Sequence, residues 1–131
     1  MSSYVTDTQA LIKFMMGRKV INDFCHKIFM DADKGKNIII IPAIVLMEIM
    51  YLFEKKRIPV NMLETEELLQ SSNYQVEPLG LEIIKAATEI KDIPELHDRL
   101  IAATARYLDV PIITNDPEIS KSRFVRSLPG A

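Results

Sequence analysis

The chain has 131 residues, 48% of them hydrophobic, and 18 acids against 16 Lys and Arg leave a formal charge of -2. That length fits one domain over residues 1–131 with a core that supplies most of its stability. The mixed, mildly acidic charge excludes general electrostatic adsorption to nucleic acid, which would need a local basic surface or a metal that offsets carboxylates. The single Cys25 excludes an intramolecular disulfide and, even beside His26, gives no zinc constellation. With the opening MSSYVTDTQ, which has neither a basic region nor an apolar leader, it leads us to expect a reduced, cytoplasmic setting.

In chain order, Ser3 to Thr6 is a short β-prone run that ends at Asp7-Thr8, and Ala10 to Met16 reads as an apolar helix closed by Gly17. Ligands of open α/β sheets sit just outside the carboxyl ends of the strands, which makes an acid there a candidate site residue. The simpler reading is that Asp7 or Thr8 N-caps the helix. From Lys19, the residues Val20, Ile21, Phe24, Ile28 and Phe29 keep helical spacing, with Asn22, Asp23, Lys27 and Asp31 on the other face. Asp31-Ala-Asp33-Lys-Gly35 lacks the further oxygen ligands of a calcium loop and reads as a solvated helix end and turn.

Ile38 to Phe53, IIIIPAIVLMEIMYLF, is almost wholly apolar and carries one charge, Glu48. Pro42 divides it into a β-branched strand, Ile38 to Ile41, and a helix, Ala43 to Phe53, with Pro42 in the first helical turn. The run falls short of the roughly 18 uninterrupted apolar residues of a membrane span, so it reads as core. Glu48 has Ile44 and Val45 before it and Tyr51 and Leu52 after it at helical spacings, on or beside the buried stripe. An isolated carboxylate there stays protonated, finds a cation or binds a metal. Alternatively it tips toward solvent or pairs with Lys55.

The basic end of this segment, Lys55-Lys56-Arg57, suits the negative pole of a helix and is also a candidate phosphate patch. Pro59 opens another expected helix, with Met62, Leu63, Leu68 and Leu69 inward. Asn73 to Glu77 reads as a strand. A helix from Leu81 to about Lys91 follows, with Ile83, Ile84, Ala87 and Ile90 inward. The next helix is rich in small residues around Leu100, Ile101, Ala103 and Thr104, and it carries Asp98 in its first turn, where an acid is stabilised without any function. Val110 to Thr114 is a strand ending in Asn115-Asp116-Pro117, also a common turn signal. Phe124 to Leu128 reads as a last short strand.

Strands alternating with helices or helix pairs predict an α/β fold with a parallel sheet covered on both faces. In that architecture Asp7 and Asp116 end strands, Glu48 is out of place in an apolar helix, and Asp98 begins the helix that feeds the strand before Asp116. Gly17, Gly35, Gly80 and Gly130 form no phosphate cradle. A receiver domain would need a paired acid on its first strand and a Lys near its last, and a haloacid-dehalogenase-like phosphatase would need a second acid after Asp7-Thr.

Four segments together resemble the PIN domain family, the fold of many VapC-type toxin ribonucleases: Tyr4-Val-Thr-Asp-Thr-Gln-Ala-Leu-Ile, Ile41-Pro-Ala-Ile-Val-Leu-Met-Glu-Ile, His97-Asp-Arg-Leu-Ile-Ala-Ala-Thr-Ala and Ile113-Thr-Asn-Asp. They stand in family order and span nearly the whole chain; Gln9 departs from the Asn, Ser or His more frequent in the family. The resemblance implies a central parallel sheet of four to five strands flanked by helices on both faces, a homodimer, an antitoxin partner and a divalent-metal site for RNA hydrolysis. Carried onto this chain, Asp7, Glu48 and Asp98 hold Mg2+ or Mn2+ directly or through water, with Asp116 completing the cluster. Thr114 and Thr8 are expected in support, and Arg99, Lys55, Lys56 and Arg57 as phosphate contacts. A different class of function is a PIN-like interaction module, with Phe14, Met15 and Met16 offering either a dimer surface or core packing.

Overall fold

β1 (Ser2–Thr6) is the middle strand of a five-stranded sheet in the order β3-β2-β1-β4-β5, in which every neighbouring pair is parallel. The computed structural model describes residues 1–17 and 23–129. The remaining elements are α1 (Thr8–Met15), α2 (Asp23–Asp33), β2 (Asn37–Pro42), α3 (Ala43–Glu54), α4 (Met62–Leu68), β3 (Tyr74–Glu77), α5 (Leu81–Glu89), α6 (Leu96–Leu108), β4 (Ile112–Thr114), α7 (Pro117–Ser120) and β5 (Ser127–Pro129). This is the α/β architecture that the alternation of strands and helices predicts. Among the described residues no helix is long and apolar enough to cross a membrane.

The sheet is covered on both faces, as its residues require. Successive strand side chains point to opposite faces, and in β4 Ile112, Ile113 and Thr114 are all fully buried, as are Val5 and Thr6 in β1. β2 carries its β-branched run between β1 and β3, in register Ile39 to Tyr4 and Ile39 to Tyr74. The chain runs outward from β1 to β2 and β3, then returns to place β4 on the other side of β1. The two directions part at β1, which is where an open parallel sheet leaves a crevice beyond its carboxyl ends.

Several local expectations are corrected. Pro42 ends β2 and stands as N-cap of α3 with φ -57° and ψ 140°, one residue outside the helix, because an extended backbone there keeps it paired with Glu77. Phe24, Leu63 and Ile84, expected inward, are 60%, 64% and 46% exposed. In α4 the short helix turns Thr65 into the core instead of Leu63, and Thr65 is satisfied by a bond to the Asn61 carbonyl. The expected helix start at Lys19, with Val20, Ile21 and Asn22, lies outside the described residues. Phe14, Met15 and Met16 pack partly buried against the core, with Phe14 stacked on Phe29 at 4.6 Å between ring centroids. The last strand is β5, which begins later than Phe124, and the single turn of α7 was not foreseen. Gly17, at φ +68°, follows α1 as expected, in a conformation that glycine adopts without steric cost.

Candidate functional site

The crevice at the carboxyl ends of β1 and β4 opens into a cavity of about 800 Å³. Asp7, Glu48, Asp98 and Asp116 all line it, each from a different part of the chain: the end of β1, the middle of α3, the first turn of α6 and the turn after β4. Gln9, Lys13, His97 and Asn115 add polar walls, while Met47, Met50, Tyr51, Leu52 and Ile101 make an apolar one. Four carboxylates thus face one lysine. A second cavity of about 740 Å³, beside α5 and α6, sets its three acids against cations, Lys85 with Glu82 at 3.7 Å, Arg106 with Glu89 at 3.4 Å and Arg126 with Asp109 at 3.2 Å, and adds Arg123, so it carries no excess of acid. Of these two cavities, the first carries the excess of negative charge expected where a cation is to be held.

Asp7 answers both of its readings. It N-caps α1, with Oδ1 accepting from the Ala10 amide at 2.8 Å, and Oδ2 accepts from the Thr114 hydroxyl at 2.6 Å. Only 6% of Asp7 is exposed, and its pKa is raised above the ordinary value: burial and the charge of Asp116 outweigh the Thr114 and Ala10 hydrogen bonds and the opposite charge of Lys13. The Thr114 hydroxyl also accepts from the Asp116 amide at 3.0 Å, so one side chain on β4 joins the two strand-end acids. Asp116 caps α7, with Oδ1 accepting from the Glu118 and Ile119 amides at 2.8 and 3.3 Å.

Glu48 does not pair with Lys55, whose ammonium lies over the Tyr51 ring at 5.5 Å from its centroid. Instead its Oε1 accepts from the Thr8 hydroxyl at 2.5 Å, and its Oε2 lies 3.9 Å from Nδ1 of His97, with the Glu48 side chain 26% exposed. Asp98 is the third residue of α6, which Glu95 caps by accepting from the Asp98 amide at 2.8 Å. Burial, followed by the charges of Asp116 and Glu95, the hydrogen bond with the Asp116 carboxyl and the charge of Glu48, pushes Asp98 up to about 7.

Among the described residues no three His, Cys, Asp or Glu side chains stand as a preset metal-holding group. The donor set nevertheless fits a hard divalent cation, which prefers carboxylate oxygen to nitrogen and keeps some of its waters. The raised pKa values of Asp98 and Asp7 both express burial and uncompensated negative charge, and a cation would relieve both.

The cationic expectations divide. Arg99 does not line the cavity: its Nε donates to the Ile93 carbonyl at 2.8 Å and its Nη2 to the Pro94 carbonyl at 3.0 Å, tying the approach loop to α6. Lys56 and Arg57 line a separate cleft with Phe53 and Pro59. Lys55 reaches the acidic cavity only through Tyr51. Sequence reasoning passed over Lys13, His97 and Tyr51, although the pattern held a signal for each: Lys13 is one turn beyond Gln9 in α1, Tyr51 is one turn beyond Glu48 in α3, and His97 adjoins Asp98.

The sequence profile of the PIN domain matches residues 4–125. The chain belongs to the PIN domain family, whose members are generally nucleases and usually use divalent metals. Among solved structures it is similar to a chain of VapBC2 from Rickettsia felis bound to a DNA fragment from their promoter, with TM-score 0.72 and 18% identity over 98% of this chain and 99% of that one. A chain of DNA-bound VapBC from Salmonella typhimurium gives TM-score 0.68 and 17% identity over 98% of each chain. A chain of a toxin-antitoxin complex from Klebsiella pneumoniae gives 0.62 and 18% identity over 96% of each. At such identities these neighbours show the shared fold. No curated protein sequence matches the chain significantly.

Proposed function

We propose that this PIN domain is a cytoplasmic ribonuclease that hydrolyses RNA phosphodiester bonds with Mg2+ or Mn2+ held by Asp7, Glu48, Asp98 and Asp116, and that it is the toxin of a toxin-antitoxin pair. The observation that carries the reading is the convergence of four carboxylates from four separate segments on one cavity at the topological switch of a parallel sheet. The toxin role is supported by the solved neighbours, one of which is described as a toxin-antitoxin complex; a cognate antitoxin and a homodimer belong to the same proposal.

A bound divalent ion supplies a water of lowered pKa and offsets the charge that builds on the phosphate. The chain's own residues prepare the site. Thr114 fixes the Asp7 carboxylate in one orientation and anchors the turn of Asp116, and Thr8 locks α1 to Glu48 on α3. Asp98, whose pKa is raised to about 7, would act as a carboxylate donor once a cation offsets the charge around it. Because both threonines hold their acids through hydroxyls already in place, little side-chain reorganisation is needed when the site is charged.

The test is cleavage of structured and single-stranded RNA by the full chain with Mn2+, with Mg2+ and with chelator. Metal-dependent cleavage that disappears in Asp7→Asn supports the proposal. Inertness under all three conditions, with tight binding of a protein partner, would instead assign the chain the role of an interaction module.

A further inference from the structure

One wall of the acidic cavity is apolar and open, while Ile44, Val45 and Ile49 on the other side of α3 are buried in the core. Met47 and Met50 are each 44% exposed and Tyr51 is 52% exposed, and all three line the same cavity as the carboxylates. Exposed apolar side chains that converge on a polar cavity mark a place where a ligand covers them. Tyr51 stands one turn beyond Glu48, and the Lys55 ammonium lies 5.5 Å from its ring centroid. On α1, Lys13 is the one Lys or Arg among the described residues that line the cavity. The cavity thus combines an acidic floor, a flat aromatic ring with a cation on it, and a separate ammonium.

We infer that Tyr51 is a base-stacking residue of the RNA site and Lys13 a phosphate anchor, so that an unpaired nucleotide beside the scissile phosphate is seated between α3 and α1. The inference rests on the ribonuclease reading and adds to it the residues that hold the substrate. A nucleotide meets each feature: its base has a π face for Tyr51 whatever the sequence, and its phosphates match the two ammonium groups. An acidic peptide would satisfy Lys13 and Lys55 but would be repelled by four carboxylates. A base inside a duplex has both faces stacked already and cannot use Tyr51. The cavity, at about 800 Å³, is within the range of about 300–1,000 Å³ typical of ligand sites.

The experiment measures binding of a fluorescein-labelled single-stranded RNA octamer, and of its duplex, to the full chain by fluorescence anisotropy. An Asp7→Asn background with Mg2+ present allows RNA to bind without being cut. Adding Tyr51→Ala is expected to weaken single-strand binding about 5- to 150-fold, the effect of losing one base-aromatic stack, while Tyr51→Phe retains it and duplex binding does not change. Lys13→Ala is expected to lower the slope of log affinity against log salt by about 0.7, the value for one phosphate contact on a single strand, and Lys13→Arg to restore it. Unchanged single-strand affinity in Tyr51→Ala, or an equal loss for duplex, overturns the inference. Unchanged RNA affinity together with altered oligomeric state or partner binding also overturns it, and makes the wall a protein interface. Cleavage by the wild-type chain with Mn2+ is measured alongside: if that chain cuts RNA and Tyr51→Ala binds normally, this inference alone fails, whereas a wild-type chain that neither binds nor cuts RNA removes the ribonuclease reading and this inference with it.

Discussion

Thr114 and Asp7 stand 107 positions apart in sequence, and the hydroxyl of the first donates to Oδ2 of the second at 2.6 Å in a buried setting. The same hydroxyl accepts the Asp116 amide. Thr114→Val keeps the shape and β preference of the side chain but leaves a buried carboxylate and a backbone amide each short of a partner. Removing such a donor costs about 1–3 kcal/mol. The variant should lose that much stability in urea denaturation, whereas Thr114→Ser, which keeps the hydroxyl, should lose less.

Asp7→Asn separates catalysis from folding. The amide side chain can still accept from the Ala10 amide, and it removes a charge whose burial already raises its pKa. Metal-free stability at neutral pH should therefore be equal to or higher than that of the wild type, as read by thermal denaturation. Metal-dependent RNA cleavage should fall by at least about 100-fold, the upper end of losses seen when even an indirect support of a metal site is removed.

The raised pKa of Asp98, about 7, makes stability depend on pH in a defined direction. The folded state holds this proton more tightly than the unfolded chain does. Its contribution is complete below the ordinary value of 3.8 and is lost as pH rises through about 7. Asp7, also raised, acts in the same sense. Asp92 and Glu95, which are lowered, contribute above their ordinary values and lose that contribution only at more acid pH. Metal-free protein should therefore melt at a higher temperature near pH 5.5 than near pH 8, and excess Mg2+ should raise the melting temperature at pH 8 more than at pH 5.5. Calorimetry of Mg2+ binding near pH 6.5, in two buffers of different ionisation enthalpy, should show proton release.

Arg99 ties the loop before α6 to the helix that carries Asp98, through two backbone carbonyls. Arg99→Lys cannot reproduce that fork. Both Arg99→Lys and Arg99→Ala should speed amide hydrogen exchange at the start of α6, and the salt slope of RNA binding should stay the same. A lower slope would give Arg99 a phosphate contact after all.

The sheet and the acids were legible in the sequence because β-branched runs and strand-end aspartates are local features. Ile38 to Ile41 and Val110 to Thr114 announce strands whatever lies around them, although the second begins only at Ile112, and Glu48 stands out because its neighbours at helical spacing are apolar. What was not legible depended on partners far away in sequence. Leu63 and Ile84 fit an inward stripe, yet short helices on the rim of the fold expose them. Arg99 read as a free cation because nothing local shows that the Ile93 and Pro94 carbonyls lie within its reach. Tyr51 read as core because it continues an apolar run, and only the placement of α3 beside α1 and α6 turns it toward the acidic cavity.

β4 lies beside β1, although most of the chain separates them. During synthesis, from the amino end onward, Asp7 and Glu48 leave the ribosome long before Thr114 and Asp116 do. A nascent chain halted between those points holds two or, beyond Asp98, three of the acids but lacks the strand that fixes Asp7. The cluster of four acids is therefore complete only once β4 has been made and has taken its place beside β1.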